Sequence, residues 1–170
     1  MRVDIGAYFE AEEVVELTRD LIRIPSHVDA PGREAEMARF IHRFCSTRGL
    51  DAAIVPVDGE RANVMATVRG SGGGRTLLLN GHIDTVPPYD LTIEPYGAEL
   101  RDGFVWGRGA SDMKGAIASM LIAMLALKRS GQVLAGDLVF SGVIGEEERS
   151  EGSEYLVKSG FKADGAVVGE

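Results

Sequence analysis

Apolar side chains recur with two different periods along the chain, and an element boundary is expected wherever one period gives way to the other. From Glu10 to Ile24 the spacing is helical, with Val14, Leu17, Leu21 and Ile24 on one face, and Pro25 ends the run. A loop, SHVDAPG, follows. Glu34 to Thr47 is a second helix through Met37, Ala38, Ile41, Phe44 and Cys45, with Gly49 as its stop. Ala53–Val57 and Asn63–Val68 read as strands, GSGGG as a turn, and Thr76–Asn80 as an apolar strand ending at His82. Asp102-Gly103 between Ala98–Arg101 and Phe104–Trp106 is a two-residue hairpin signal. Met113–Lys128 is a long apolar helix closed by Ser130-Gly131. Leu138–Ile144 is a buried strand, Gly152–Lys158 a short helix and Ala166–Val168 a last strand.

Helices and strands alternate through most of the chain, which predicts an α/β fold: a mostly parallel twisted sheet flanked by helices. No repeat, linker or low-complexity tract interrupts it, and the length suits one domain. A central parallel strand is normally followed by a helix that covers the sheet. None follows Ala166–Val168, so the chain is expected to be one part of a larger catalytic unit.

Charge and cysteine usage narrow the partners. The 18 basic and 26 acidic residues leave a net charge of −8, which argues against nucleic acid or an anionic membrane. Carboxylates gathered at one place repel each other unless a cation sits among them, so part of the acidic excess is expected at a site. Cys45 has no partner for an internal disulfide and lies on the apolar face of its helix, a composition suited to a reducing cytoplasm. The opening MRVDIGAYFEAEE lacks a basic segment followed by an apolar one, so no signal peptide is expected. Ala116–Leu127, between Lys114 and Lys128, falls short of the ~20 apolar residues of a bilayer span.

The chemistry lies where apolar runs end. His82 and Asp84 close LLLNGHIDTVPP, Asp112 closes GRGASDMKG, Glu146 and Glu147 follow VFSGVIG, and Glu170 follows AVVG. Sites in α/β folds form where strands end, and one imidazole among several carboxylates is a zinc-type ligand set. Two residues apart on an extended segment, His82 and Asp84 point to the same side, so Asp84 is placed to hold the second ring N–H of a metal-bound imidazole. A turn in which Asp84 satisfies backbone N–H groups is the simpler alternative. Asp112 can cap the long helix or offer its oxygens to a cation. If the Glu146–Glu147 segment is strand-like, the two side chains point to opposite sides, one toward a metal and one toward a water. Lys114 reads as an exposed first-turn residue. His27, in a loop, and His42, on a helix, have no acidic neighbours at ligand spacing. Neither a phosphate-binding loop nor a nucleophile elbow occurs.

Taken in order, GHIDTVPP, WGRGASDMKG, GEEERSEGS and VVGE resemble the metal-dependent aminoacylase and carboxypeptidase family, which includes acetylornithine deacetylase, succinyl-diaminopimelate desuccinylase and glutamate-type carboxypeptidases. The resemblance covers nearly the whole chain and implies a zinc-peptidase-like catalytic domain with two divalent metal ions, zinc first and cobalt or manganese as substitutes. It implies that His82 and Glu170 bind one ion, Asp112 bridges both and Glu147 binds the second. Asp84 then orients His82 and Glu146 is the general base. A cis peptide between Asp112 and Met113 is implied as well. Family members are substantially longer. Residues 1–170 are therefore expected to be the N-terminal portion of the catalytic domain, without the lid or dimerisation domain and without the returning segment that carries a histidine for the second metal. The implied substrate is an N-acyl amino acid or small peptide, and the whole protein is expected to be a homodimer. Two alternatives stay open at this point: a metal-binding fragment without activity, and an aminopeptidase of the same family.

Overall fold

The computed structural model of the protein describes residues 4–170; Met1–Val3, the start of the stretch read for a leader, lie outside the described residues. Two helices come first, α1 (Ala11–Ile22) and α2 (Ala35–Thr47). α1 stops short of the predicted Ile24 because the residue before Pro25 is pushed out of helical conformation. Strands β1 (Asp51–Asp58), β2 (Arg61–Val68) and β3 (Leu77–His82) follow, then the small hairpin β4 (Glu99–Arg101) and β5 (Phe104–Trp106). Helix α3 (Gly115–Arg129), strand β6 (Leu138–Val143), helix α4 (Glu151–Lys158) and strand β7 (Gly165–Val168) complete the chain.

The main sheet has the order β1-β2-β6-β3-β7. β3 pairs parallel with β6 and β7, while β2 pairs antiparallel with β1 and β6. Four strands therefore share one direction and β2 alone opposes them, which is the mostly parallel sheet that the alternation predicts. The loop through GSGGG carries the chain past β6 rather than into a neighbouring strand. Among the described residues β7 pairs with β3 alone.

Alternation along the strands divides the core. Val64, Ala66, Leu79 and Phe140 face a layer made by Leu17 and Leu21 of α1, Met37, Ile41 and Cys45 of α2, and the inner face of α3. Leu78 points the other way, toward Leu156 of α4. α3 is apolar almost all round because it is buried on several sides, from Ile117 to Ala126. Ala110–Arg129 has the length and hydropathy of a membrane span, but its backbone leaves the helical region at Asp112 and Met113, and the helix proper is committed to the core. Burial pushes the Cys45 thiol up to about 12, in keeping with the core role predicted for it.

Candidate metal centre

The three parallel strands end together, and that edge collects the predicted ligands. His82 is the last residue of β3 and stands opposite Val143, the last of β6. Gly145–Glu147 come next along the chain from β6. Beyond β7, the Gly169 amide donates to the Asn80 carbonyl at 3.4 Å, which brings Glu170 beside His82.

The His82 ring is buried, and its Nδ1 lies 3.1 Å from the main-chain oxygen of Asp84. A carbonyl oxygen only accepts, so Nδ1 carries a proton and Nε2 is the atom turned to the site. Nε2 is 2.9 Å from Asp112 Oδ1 and 3.8 Å from Glu170 Oε1. Burial disfavours the imidazolium, but Asp84 and Asp112 outweigh it and raise the pKa to about 9 in the metal-free chain. One donor atom from each of His82, Asp112 and Glu170 lies within 4.8 Å of the others. Ligand atoms around a tetrahedral zinc, each ~2.0–2.2 Å from the ion, are about 3.3–3.6 Å apart. The imidazole and the two carboxylates therefore fit a divalent cation in both chemistry and spacing.

Asp112 reaches the site because the chain is not helical there, with φ −117° and ψ 100°. The Asp112–Met113 peptide is cis, as the resemblance implies. Its side chain makes no cap for α3, so the local reading of a helix cap does not hold. The carboxylate turns to His82 instead.

Asp84 contacts both the imidazole and the acidic turn, the first through its main chain and not through the carboxylate expected. Its main chain holds His82 Nδ1, while its buried carboxylate accepts the amides of Glu146 at 3.2 Å and Glu147 at 3.0 Å; Oδ1 lies 3.5 Å from His82 Nδ1. Burial opposes the charge, but His82 and the Glu147 amide hold the Asp84 carboxyl below its usual range. The segment with Glu146 and Glu147 is a turn, not a strand, closed by the amides of Arg149 and Ser150 on the Gly145 carbonyl. The strand alternation argument therefore does not apply to it. Glu147 Oε1 accepts the Val86 amide at 3.2 Å, and burial together with the Asp112 charge raises its carboxyl above the ordinary value. Glu147 thus borders the three-donor group, while Glu146 presents an exposed side chain.

Lys114 corrects the sequence reading. It is not an exposed first-turn residue but 1% exposed, with Nζ donating to the Ile24 carbonyl at 2.9 Å. The turn before α3 is tucked under the end of α1, so the lysine stem is part of the core and its amine satisfies a carbonyl that α1 leaves free. Burial alone lowers its pKa to about 7. His27 is also buried, its Nδ1 accepting the Asp29 amide at 3.3 Å.

Residues that hold the acidic turn were missed. Arg61 and Asn63 lie two apart on β2, on the face opposite Val64 and Ala66, and both are buried. Arg61 binds both oxygens of buried Glu34, Nε at 2.9 Å and Nη2 at 2.8 Å, and Glu151 through Nη1 at 3.2 Å. Their signal was a pair of polar residues at strand spacing in the otherwise apolar RANVMATV.

Comparison with known proteins gives the family and the fold. Residues 78–170, more than half of the chain, match Peptidase family M20/M25/M40, and the chain belongs to that family. It is 34% identical over 165 residues to an N-formyl-4-amino-5-aminomethyl-2-methylpyrimidine deformylase of Halalkalibacterium halodurans, covering 94% of this chain and 38% of the relative. It is 31% identical over 164 residues to a probable succinyl-diaminopimelate desuccinylase of Staphylococcus epidermidis, covering 94% and 39%. Among solved structures, an M20 family metallo-carboxypeptidase of Sulfolobus solfataricus superposes with a TM-score of 0.76 at 22% identity, over 92% of this chain and 37% of that one. The fold is thus shared over most of the chain, and the chain spans about two fifths of the length of these curated relatives.

Proposed function

We propose that the whole protein is a metal-dependent amide hydrolase acting on an N-acyl amino acid or small peptide, and that this chain carries most of its reaction centre. The observation behind this reading is the meeting of His82 Nε2, Asp112 and Glu170, which come from three separate segments, within 4.8 Å. The hydrolytic names of the deformylase and desuccinylase relatives support it.

His82, Asp112 and Glu170 would hold one divalent ion, and Glu147 with Asp112 would serve a second. Zinc is the first choice for one imidazole among carboxylates. Divalent ions bound there supply Lewis acidity, which brings a water's pKa near 7 and polarises the scissile carbonyl. The remaining work falls to this chain's own groups. Asp84 fixes the tautomer and direction of His82 through its main-chain oxygen. The Glu146 carboxylate takes a proton from the water as it adds to the amide carbon, and returns that proton to the amine nitrogen as the C–N bond breaks. The products are a carboxylate and an ammonium group, which keeps both protons of the water.

Glu146→Gln in the full-length protein tests the assignment. Turnover of N-formyl, N-acetyl and N-succinyl amino acids is expected to fall by about 10²–10⁴-fold, with zinc content unchanged by atomic absorption. Turnover within a few-fold of wild type rejects Glu146 as the proton carrier.

A further inference from the structure

The turn that bears Glu146 and Glu147 is closed at its neck by one side chain. The Gly152 amide donates to the Ile144 carbonyl at 3.0 Å. That leaves the other half of the neck, the Ile144 amide and the Gly152 carbonyl, without a backbone partner in this pairing. Asn63 supplies both: its Oδ1 accepts from Ile144 N at 3.1 Å and its Nδ2 donates to Gly152 O at 2.9 Å. The carboxamide stands in for a peptide group between the two chain segments, and it is fully buried. The fit leaves no slack, since a Cβ on Gly152 would fall 2.4 Å from Asn63 Oδ1 and from Ile144 N.

The turn itself is pinned from two other sides. Asp84 takes the Glu146 and Glu147 amides. Arg61, on the same face of β2 as Asn63, ties Glu151 at the start of α4 to Glu34 at the start of α2. Gly145 lies against this pair, where a Cβ would meet Glu151 Oε2 at 2.0 Å and Arg61 Nη2 at 3.0 Å. Glu146 is exposed on this turn, whose outer part is also tied by Arg33 to Glu148 and by the Val86 amide to Glu147.

We propose that Asn63, seconded by Arg61, is the positioning residue of the acidic turn: by closing the Ile144–Gly152 neck it fixes where Glu146 and Glu147 sit relative to His82 and Asp112. This rests on reading Glu146 as the proton carrier. Asn63 touches neither substrate nor reacting atoms and acts only through the turn. Supporting hydrogen bonds of this kind typically cost about 10–100-fold in activity or metal affinity when removed.

The test is a double-mutant cycle in the full-length protein at saturating zinc. Asn63→Asp keeps the shape and the acceptor but sets an oxygen against the Gly152 carbonyl. It is expected to lower kcat by about 10–100-fold with little change in KM, and to cost almost nothing further in the Glu146→Gln background. An unchanged kcat, or an equal loss in both backgrounds, overturns the proposal. Full turnover in Glu146→Gln alone is a different failure, that of the proton carrier. Hydrogen exchange of the wild-type protein decides for Asn63 in that case, and equally if Asn63→Asp does not fold. The Glu146 and Glu147 amides should share the protection of the Ile144 amide, opening with it as one unit. Rapid exchange of the two glutamates beside a protected Ile144 shows a turn that Asn63 does not hold.

Discussion

Two kinds of carboxylate occur within this edge of the molecule. Glu34 and Asp84 are buried, and their oxygens are saturated: Glu34 by the Arg61 fork, Asp84 by two backbone amides with His82 beside it. Asp112 and Glu170 have side chains more than half exposed, at 59% and 56%, and each has an oxygen within 4 Å of His82 Nε2. Buried carboxylates must be fully paired to be tolerated at all. Exposed ones keep free lone pairs, and those are what a cation requires. On the proposed function the first kind would shape the site and the second kind would hold the ion, a division that burial and hydrogen bonding suggest and residue type does not.

Mutations on the two sides of this division should behave differently. Arg61→Ala leaves Glu34 buried, with only Arg33 Nη2 at 3.8 Å for a cationic neighbour, and is expected to lower the unfolding free energy by about 3 kcal/mol, read as a shifted denaturant midpoint at constant slope. A midpoint near that of wild type would place Glu34 on the exposed side of the comparison. Asp84→Asn offers one acceptor where two amides need one each, so it should cost about 1–3 kcal/mol and weaken zinc binding as well. Asp112→Asn should instead change metal-free stability by less than about 1 kcal/mol while zinc, measured by competition with a chelating dye, binds far more weakly. Equal destabilisation by these two asparagines would erase the distinction.

The smallest expected effect is a cancellation. In the metal-free chain His82 has its pKa raised to about 9 from 6.5. The folded state then binds more protons than the unfolded one between these values, and stability falls as pH rises through that window. Lys114 has its pKa lowered to about 7 from 10.5. There the unfolded state binds more protons, and stability rises with pH. Between about pH 7 and 9 the two slopes oppose each other, so wild-type stability should be nearly flat. Lys114→Met should expose the falling slope and His82→Gln the rising one, both read from urea titrations across this range. A steep wild-type profile would show that one of the two groups is not held as described.

Much of this arrangement was legible in the sequence because it depends on local signals. Each candidate follows an apolar run, and strand ends in a parallel sheet fall on one edge, so His82, Asp84, Asp112, Glu146, Glu147 and Glu170 could be gathered at one place, while their separate roles came only with the family resemblance. Asp102-Gly103 marked its hairpin correctly, with both residues at positive φ. Distance along the chain hid the rest. Glu34 and Arg61 are 27 residues apart, and Asn63 and Gly152 are 89 apart, separations over which no spacing rule operates. Lys114 was misread for the opposite reason: a lysine at the start of a helix is ordinarily solvated, and only the packing of α1 above it decides otherwise. Asp84 was read by its side chain, although its main chain holds His82 more closely.

The placement of β7 has a mechanical consequence. This four-residue ribbon is hydrogen-bonded along one side to β3, and Val167 and Val168 remain about half exposed. Glu170 hangs from its end, whereas His82 sits on an interior strand gripped from both sides. A cation drawing these two together would clasp the end of β7 to the end of β3, so occupancy should slow the parting of these two strand ends.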